Sequence, residues 1–94
     1  MAALRLANPL KELRIHLCQK SEASKGIRAF IEKEYVPLKK ANPNFPILIR
    51  ECRGVTPRVW ARYEFGKERC VTVADYSPEQ VLQAVQALAS QKTP

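Results

Sequence analysis

Two stretches of this chain, Leu13–Cys18 (LRIHLC) and Ile47–Cys52 (ILIREC), read as short β-strands that each end in a cysteine, and a helix-length segment lies between them. No other feature restricts the fold as strongly. A strand–helix–strand order of this length is a βαβ unit, whose right-handed crossover makes the two strands parallel. If the strands are neighbours, their C-terminal ends lie side by side and Cys18 and Cys52 come close in space. Neither belongs to a Cys-x-x-Cys pair, the usual mark of a dithiol redox enzyme of this topology.

The connecting helix is expected from about Ser24, because Ile27, Phe30, Ile31, Tyr35 and Leu38 fall on one face at steps of three and four. Pro37 removes a backbone donor and disfavours helical geometry at Val36, so the regular helix is expected to end or kink there. Asn42–Pro46 (NPNFP) makes a turn. After the second strand, Arg53–Val59 is irregular, with Gly54 and Pro57. Trp60–Phe65 and Cys70–Val73, joined by a turn at Gly66 and Lys67, then read as an antiparallel hairpin. Ser77-Pro78-Glu79-Gln80 opens a final helix: Ser77 caps it, Pro78 suits the first helical position and Gln80 completes a capping box. Val81, Ala84, Val85 and Leu88 form its apolar stripe, and it ends near Ser90.

The order β-α-β-β-β-α predicts an α/β domain, a four-stranded mixed sheet of the minimal thioredoxin-like kind with two helices packed mainly on one face. A full thioredoxin-like domain has another helix between strands two and three, on the opposite face; Arg53–Val59 is too short and broken to supply it. One face should then be uncovered, and every strand should alternate apolar inward with mixed outward. Inward fall Leu13, Ile15, Leu17, Ile47, Ile49, Ala61, Tyr63, Phe65, Val71 and Val73. Outward fall Arg14, His16, Cys18, Leu48, Arg50, Cys52, Trp60, Arg62, Glu64, Cys70 and Thr72. The outer face is thus expected to be a cationic patch around Trp60 and Leu48, with all three cysteines on it.

A single domain is expected over residues 1–94, with a folded core at 12–90 between tails at 1–11 and 91–94. No apolar run approaches bilayer length, and the N-terminus lacks the continuous apolar stretch of a secretory signal. Residues 1–11 are acid-free, with Arg5 and Lys11, faintly like a mitochondrial address or simply a tail. Sixteen basic against nine acidic residues give a net charge of +7, which favours an acidic partner: RNA, an anionic membrane or an acidic protein face.

Cys18 and Cys52 are candidates for a reversible disulfide, or are two thiols that stay reduced; Cys70 is the odd one out. Cys18-Gln19-Lys20-Ser21 also fits the Cys-x-x-Ser of monothiol glutaredoxins, and Thr56-Pro57 falls where thioredoxin-like enzymes carry a cis-proline. A pattern with two fixed positions is weak, and no catalytic residue is assigned from it. His16 is the single histidine, nothing has metal-ligand spacing, and no phosphate-binding glycine loop exists, so neither metal nor cofactor is expected. Arg50, Arg53, Arg58, Arg62, Lys67 and Arg69 cluster around the second half of the sheet, but an RNA-reading module would need more stacking aromatics than Trp60. Trp60 with Arg14, Arg50, Arg53 and Arg62 has the composition of a protein-docking surface. The alternative is that Trp60 folds under the Arg53–Val59 loop as a satellite core.

Longer blocks are more specific. Leu13–Cys18, Phe30-Ile31-Glu32-Lys33, Leu38-Lys39-Lys40-Ala41-Asn42-Pro43, Pro46–Cys52 and Trp60-Ala61-Arg62-Tyr63 resemble a thioredoxin-like family of accessory subunits of mitochondrial NADH:ubiquinone oxidoreductase, respiratory complex I. The resemblance runs from about Glu12 to Leu88, and the wider family includes proteins of the mitochondrial ribosome. It implies a non-catalytic subunit without flavin or iron–sulfur cluster, peripheral on the matrix side of the inner membrane. Its partners would be other complex I subunits, chiefly the large iron–sulfur subunit of the NADH-oxidising module, with no nucleic acid and no membrane insertion. It also implies that Cys18 and Cys52 match the family's disulfide-forming pair. Cys70 and Pro37 depart from the family's pattern.

Overall fold

The structure, a computed structural model, describes residues 5–7 and 9–91. Of the expected tails, residues 1–4, 8 and 92–94 lie outside the described residues. The elements are β1 (Leu10–Leu17), α1 (Lys25–Ala41), β2 (Ile47–Glu51), β3 (Arg58–Tyr63), β4 (Glu68–Thr72) and α2 (Pro78–Ser90). The strands form one mixed sheet in the order β2-β1-β3-β4. β1 is parallel to β2, with Leu13 opposite Ile47 and Leu17 opposite Glu51. It is antiparallel to β3, with Leu13 opposite Ala61, and β3 pairs antiparallel with β4, with Trp60 opposite Cys70. The α/β class, the mixed sheet and the two helices are those expected from the residue pattern.

Alternation along the strands turns one face into the core. Leu13, Ile15, Leu17, Ile47, Val59, Ala61 and Tyr63 are buried against Ile27, Phe30 and Leu38 of α1 and Val81, Val85 and Leu88 of α2. Ile49 and Val71 are partly buried beside them. Tyr63 reaches through this layer to donate a hydrogen bond to the Leu88 carbonyl at 2.7 Å, which satisfies its buried hydroxyl. α2 starts on the capping box: the Gln80 N–H donates to Ser77 Oγ at 3.2 Å and the Ser77 N–H donates to Gln80 Oε1 at 2.9 Å. α1 comes close to the segment leading into α2 at Gly26, where a Cβ would stand 1.5 Å from the Tyr76 carbonyl oxygen.

Four expectations need correction. First, β1 begins at Leu10, inside the segment expected as a tail. Leu10 is buried and pairs with Tyr63 across an irregularity in register, while the Leu6 N–H donates to Asn42 Oδ1 at 2.8 Å. Second, α1 continues through Pro37 to Ala41. The carbonyl that Pro37 leaves without a helical donor is that of Lys33, on the exposed side, and buried Leu38 anchors the turn beyond. Asn42 then closes the helix, its N–H donating to the Leu38 and Lys39 carbonyls. Third, Phe65 does not point inward. β3 ends at Tyr63, and Phe65 sits 89% exposed in the β3–β4 turn at φ 63, followed by Gly66 at φ 72. Two consecutive left-handed residues match the right-handed twist of a hairpin. Fourth, Cys18 is not on the outer face: β1 ends at Leu17, and Cys18 is buried in the turn that follows.

Candidate functional site

The face opposite the helices is crossed by rows of side chains fixed by strand register. The middle row is Leu48, Arg14, Trp60 and Cys70. Arg50, His16, Arg58 and Thr72 lie on the side of the C-terminal end of β1, and Glu12, Arg62 and Glu68 lie on the other. Carboxylates occupy that second end. Arg14 Nε is 3.1 Å from Glu12 Oε1, Arg14 Nη2 is 3.9 Å from Glu68 Oε2, and Arg62 Nη1 is 3.7 Å from Glu12 Oε2. Among the described residues Arg50, Arg53 and Arg58 have no carboxylate partner, so the cationic surplus gathers where β1 and β2 end.

Trp60 is half-buried on this face, its ring 6.3 Å from that of His16 and tilted by 46°. Among the described residues its indole Nε1 is buried without an acceptor, which costs roughly 1–3 kcal/mol while it stays unmet. Cys70 is its neighbour across the strand. Partial desolvation pushes the Cys70 thiol up, against the opposing charge of Arg58. Of the expected docking residues, Arg14, Arg50, Trp60 and Arg62 share the open face, whereas Arg53 lies past the end of β2 beside Cys52.

That end of the sheet forms a second feature. Cys18 and Cys52 follow directly on the paired Leu17 and Glu51, and the Cys52 N–H donates to the Leu17 carbonyl at 2.9 Å. Both are free thiols, Cys18 buried and Cys52 exposed. Together with Gln19, Lys20, Glu51 and Arg53 they line a cavity of about 300 Å³. The turn carrying Cys18 is tied down from the start of α1. Ser24 Oγ accepts from the Cys18 N–H at 3.1 Å, and Arg28 Nη1 donates to the Cys18 and Ser21 carbonyls at 2.9 and 2.8 Å.

The Gly54 N–H donates to Cys18 Sγ at 3.3 Å. That contact, with the N–H groups of Lys20 and Ser21, favours the thiolate and holds the Cys18 thiol down at about 7, against the opposing effect of burial. Sequence reasoning brought the two cysteines together but missed the clamp by Ser24 and Arg28 and the donor from Gly54. The clamp follows from the helix start; the Gly54 contact depends on a loop path without periodicity. Pro57 is buried where that loop rejoins the sheet, and its carbonyl accepts from the Val73 N–H at 3.0 Å. Among the described residues no group of His, Cys, Asp and Glu could hold a metal ion.

The sequence of this chain is similar to named proteins of an animal, a plant and a fungus. It is 53% identical over 83 residues to NADH dehydrogenase (ubiquinone) 1 alpha subcomplex subunit 2 of Mus musculus, covering 88% of this chain and 84% of the mouse protein. The Arabidopsis thaliana protein of the same name is 52% identical over 83 residues, 88% of this chain and 86% of its own length. The NADH-ubiquinone oxidoreductase 10.5 kDa subunit of Neurospora crassa is 43% identical over 79 residues, 84% of each chain. Residues 27–78 match the model of the mitochondrial ribosomal protein L51 / S25 / CI-B8 domain. On the extent of these matches, the chain belongs to the L51 / S25 / CI-B8 domain family.

Proposed function

We propose that this chain is a non-catalytic accessory subunit of mitochondrial complex I, docked through its open sheet face on the large iron–sulfur subunit of the NADH-oxidising module. The observation that carries the assignment is identity above half, over nearly the whole chain, to subunits named for that enzyme in an animal and a plant. The docking face is supported by Trp60 with its unmet indole N–H, and by Arg50 and Arg58 in the next row, which have no carboxylate partner among the described residues. Aromatic and arginine side chains dominate the energetics of protein interfaces. A peripheral place on the matrix side of the inner membrane suits a chain in which no described helix is long and apolar enough to cross a bilayer. Cys18 and Cys52 are read as a redox-sensitive pair at the rim of that face.

The family description favours a second reading, since it also names mitochondrial ribosomal proteins. The experiment is native-gel separation and gradient sedimentation of mitochondria expressing the tagged chain or its Trp60→Ala/Arg50→Glu variant. The expected result is co-migration of the unaltered chain with complex I and loss of co-migration in the variant. Normal incorporation of the variant counts against this face. Sedimentation with ribosomal particles counts for the second reading.

A further inference from the structure

We propose that the corner holding Cys18 and Cys52 is an exchange site for a small anionic disulfide of the glutathione type, in which Cys18 attacks and Cys52 resolves. This rests on the reading of the two cysteines as a redox pair and assigns each a step. The corner is asymmetric. Cys18 lines the cavity and its Sγ receives the Gly54 N–H at 3.3 Å, and the buried Ser21 hydroxyl, three residues on, has no hydrogen-bond partner among the described residues. Cys52 stands exposed on the same cavity, and among the described residues no N–H is directed at its sulfur. A sulfur that receives a fixed backbone donor is the better placed of the two to carry negative charge.

The cavity wall specifies the ligand's charge. Lys20 and Arg53 are exposed there and have no carboxylate partner among the described residues, while the only acid, Glu51, is engaged by the side-chain amide of Gln19. The net field in the pocket therefore favours a ligand bearing carboxylates. A volume of about 300 Å³ accepts one peptide-sized arm of such a disulfide and leaves the other in solvent.

The chemistry closes without a further reactant. The Cys18 thiolate attacks one sulfur of the small disulfide; that S–S bond breaks, a mixed disulfide forms on Cys18, and one small thiolate leaves. Cys52, losing its proton to solvent, then attacks the Cys18 sulfur. The Cys18–Cys52 bond forms and the second small thiolate leaves. Two electrons pass from the protein dithiol to the small disulfide. Cys18 and Cys52 directly follow the paired Leu17 and Glu51, and the Cys52 N–H donates to the Leu17 carbonyl at 2.9 Å, so the two backbones run side by side where the internal disulfide would form. The depressed titration of Cys18 makes it substantially ionised at neutral pH, near the optimum for an attacking thiol.

The test uses the full chain with Cys70→Ser, exposed to oxidised glutathione and followed by intact-mass spectrometry. Adding Cys52→Ser is expected to trap one glutathionyl group on Cys18, at a rate that rises through pH of about 7. With Cys18→Ser or Cys18→Ala instead, modification of Cys52 is expected to be about tenfold slower. Lys20→Glu/Arg53→Glu, at exposed positions, is expected to slow the Cys18 reaction about tenfold with oxidised glutathione but not with neutral hydroxyethyl disulfide. Equal modification of Cys18 and Cys52, or indifference to the charge reversal, overturns the proposal. If diamide forms the internal disulfide while no adduct is trapped on Cys18, the pair stands and the exchange site does not. If diamide forms no internal disulfide, the pair itself is refuted.

Discussion

Phe65 combines two choices that an isolated domain does not favour, a large apolar side chain left 89% exposed and a left-handed backbone at φ 63. A Cβ with a bulky substituent crowds the following carbonyl there and costs roughly 1–2 kcal/mol, which asparagine partly avoids and glycine escapes. Phe65 with Gly66 stands where a hairpin of this twist ordinarily has Asn-Gly. Phe65→Asn is therefore expected to stabilise the isolated domain by roughly 0.5–1 kcal/mol, read as a higher urea midpoint at unchanged slope. A lower midpoint would mean that the ring is held by contacts on the domain itself. The alternation Ala61, Tyr63, Phe65 reads inward by period alone, and it failed at Phe65 because the turn reverses the chain before the period completes. Cys18 failed likewise: it was placed as the last strand residue on the outer face, but β1 stops at Leu17 and Cys18 is buried just beyond it, on the wall of the end cavity.

Helices were legible where their signals are local and strands where their partners are many. Ser77, Pro78 and Gln80 specify the start of α2 within one turn, and the structure uses all three. Pro37 misled because its penalty is local while its compensation is not. The lost donor falls on the exposed side, and the burial of Leu38 together with the Asn42 closure rewards continuing the helix to Ala41. The start of β1 at Leu10 was equally hidden, since its pairing with Tyr63 and the anchoring of Leu6 by Asn42 are long-range. The contact between the helices gives a sharper test. Glycine to alanine in an exposed helix normally stabilises by up to about 1 kcal/mol. At Gly26 the new Cβ would stand 1.5 Å from the Tyr76 carbonyl oxygen, so either α1 or the cap of α2 must move. Gly26→Ala is expected to destabilise by roughly 3 kcal/mol, with the opposite sign from propensity, in a thermal or urea melt. A stabilised variant would mean that α1 and the segment before the α2 cap do not approach as closely as the structure has them.

For the molecule as a whole, the decisive property is that one sheet face is core and the other is not. Val59 and Trp60 are consecutive on the central strand β3 and point to opposite sides: Val59 is fully buried under the helices, Trp60 half-buried on the open face. In a sheet covered on both sides, deleting the larger side chain would cost more, since tryptophan to alanine in a core loses about 3–5 kcal/mol. Here the order is expected to invert. Val59→Ala opens a void that packed neighbours cannot fill and should cost roughly 2 kcal/mol. Trp60→Ala removes a half-buried ring and with it the unmet indole N–H, a gain that offsets part of the lost contact and leaves a net cost of less than about 1 kcal/mol. Assembly should show the reverse order, with the Trp60 variant poorly incorporated into its complex and the Val59 variant incorporated as far as it stays folded. The two variants are to be compared by urea denaturation of the isolated domain and by native-gel yield from mitochondria. If Trp60→Ala proves the more destabilising of the two, the open face is part of the domain's own core and has no surface to offer a partner.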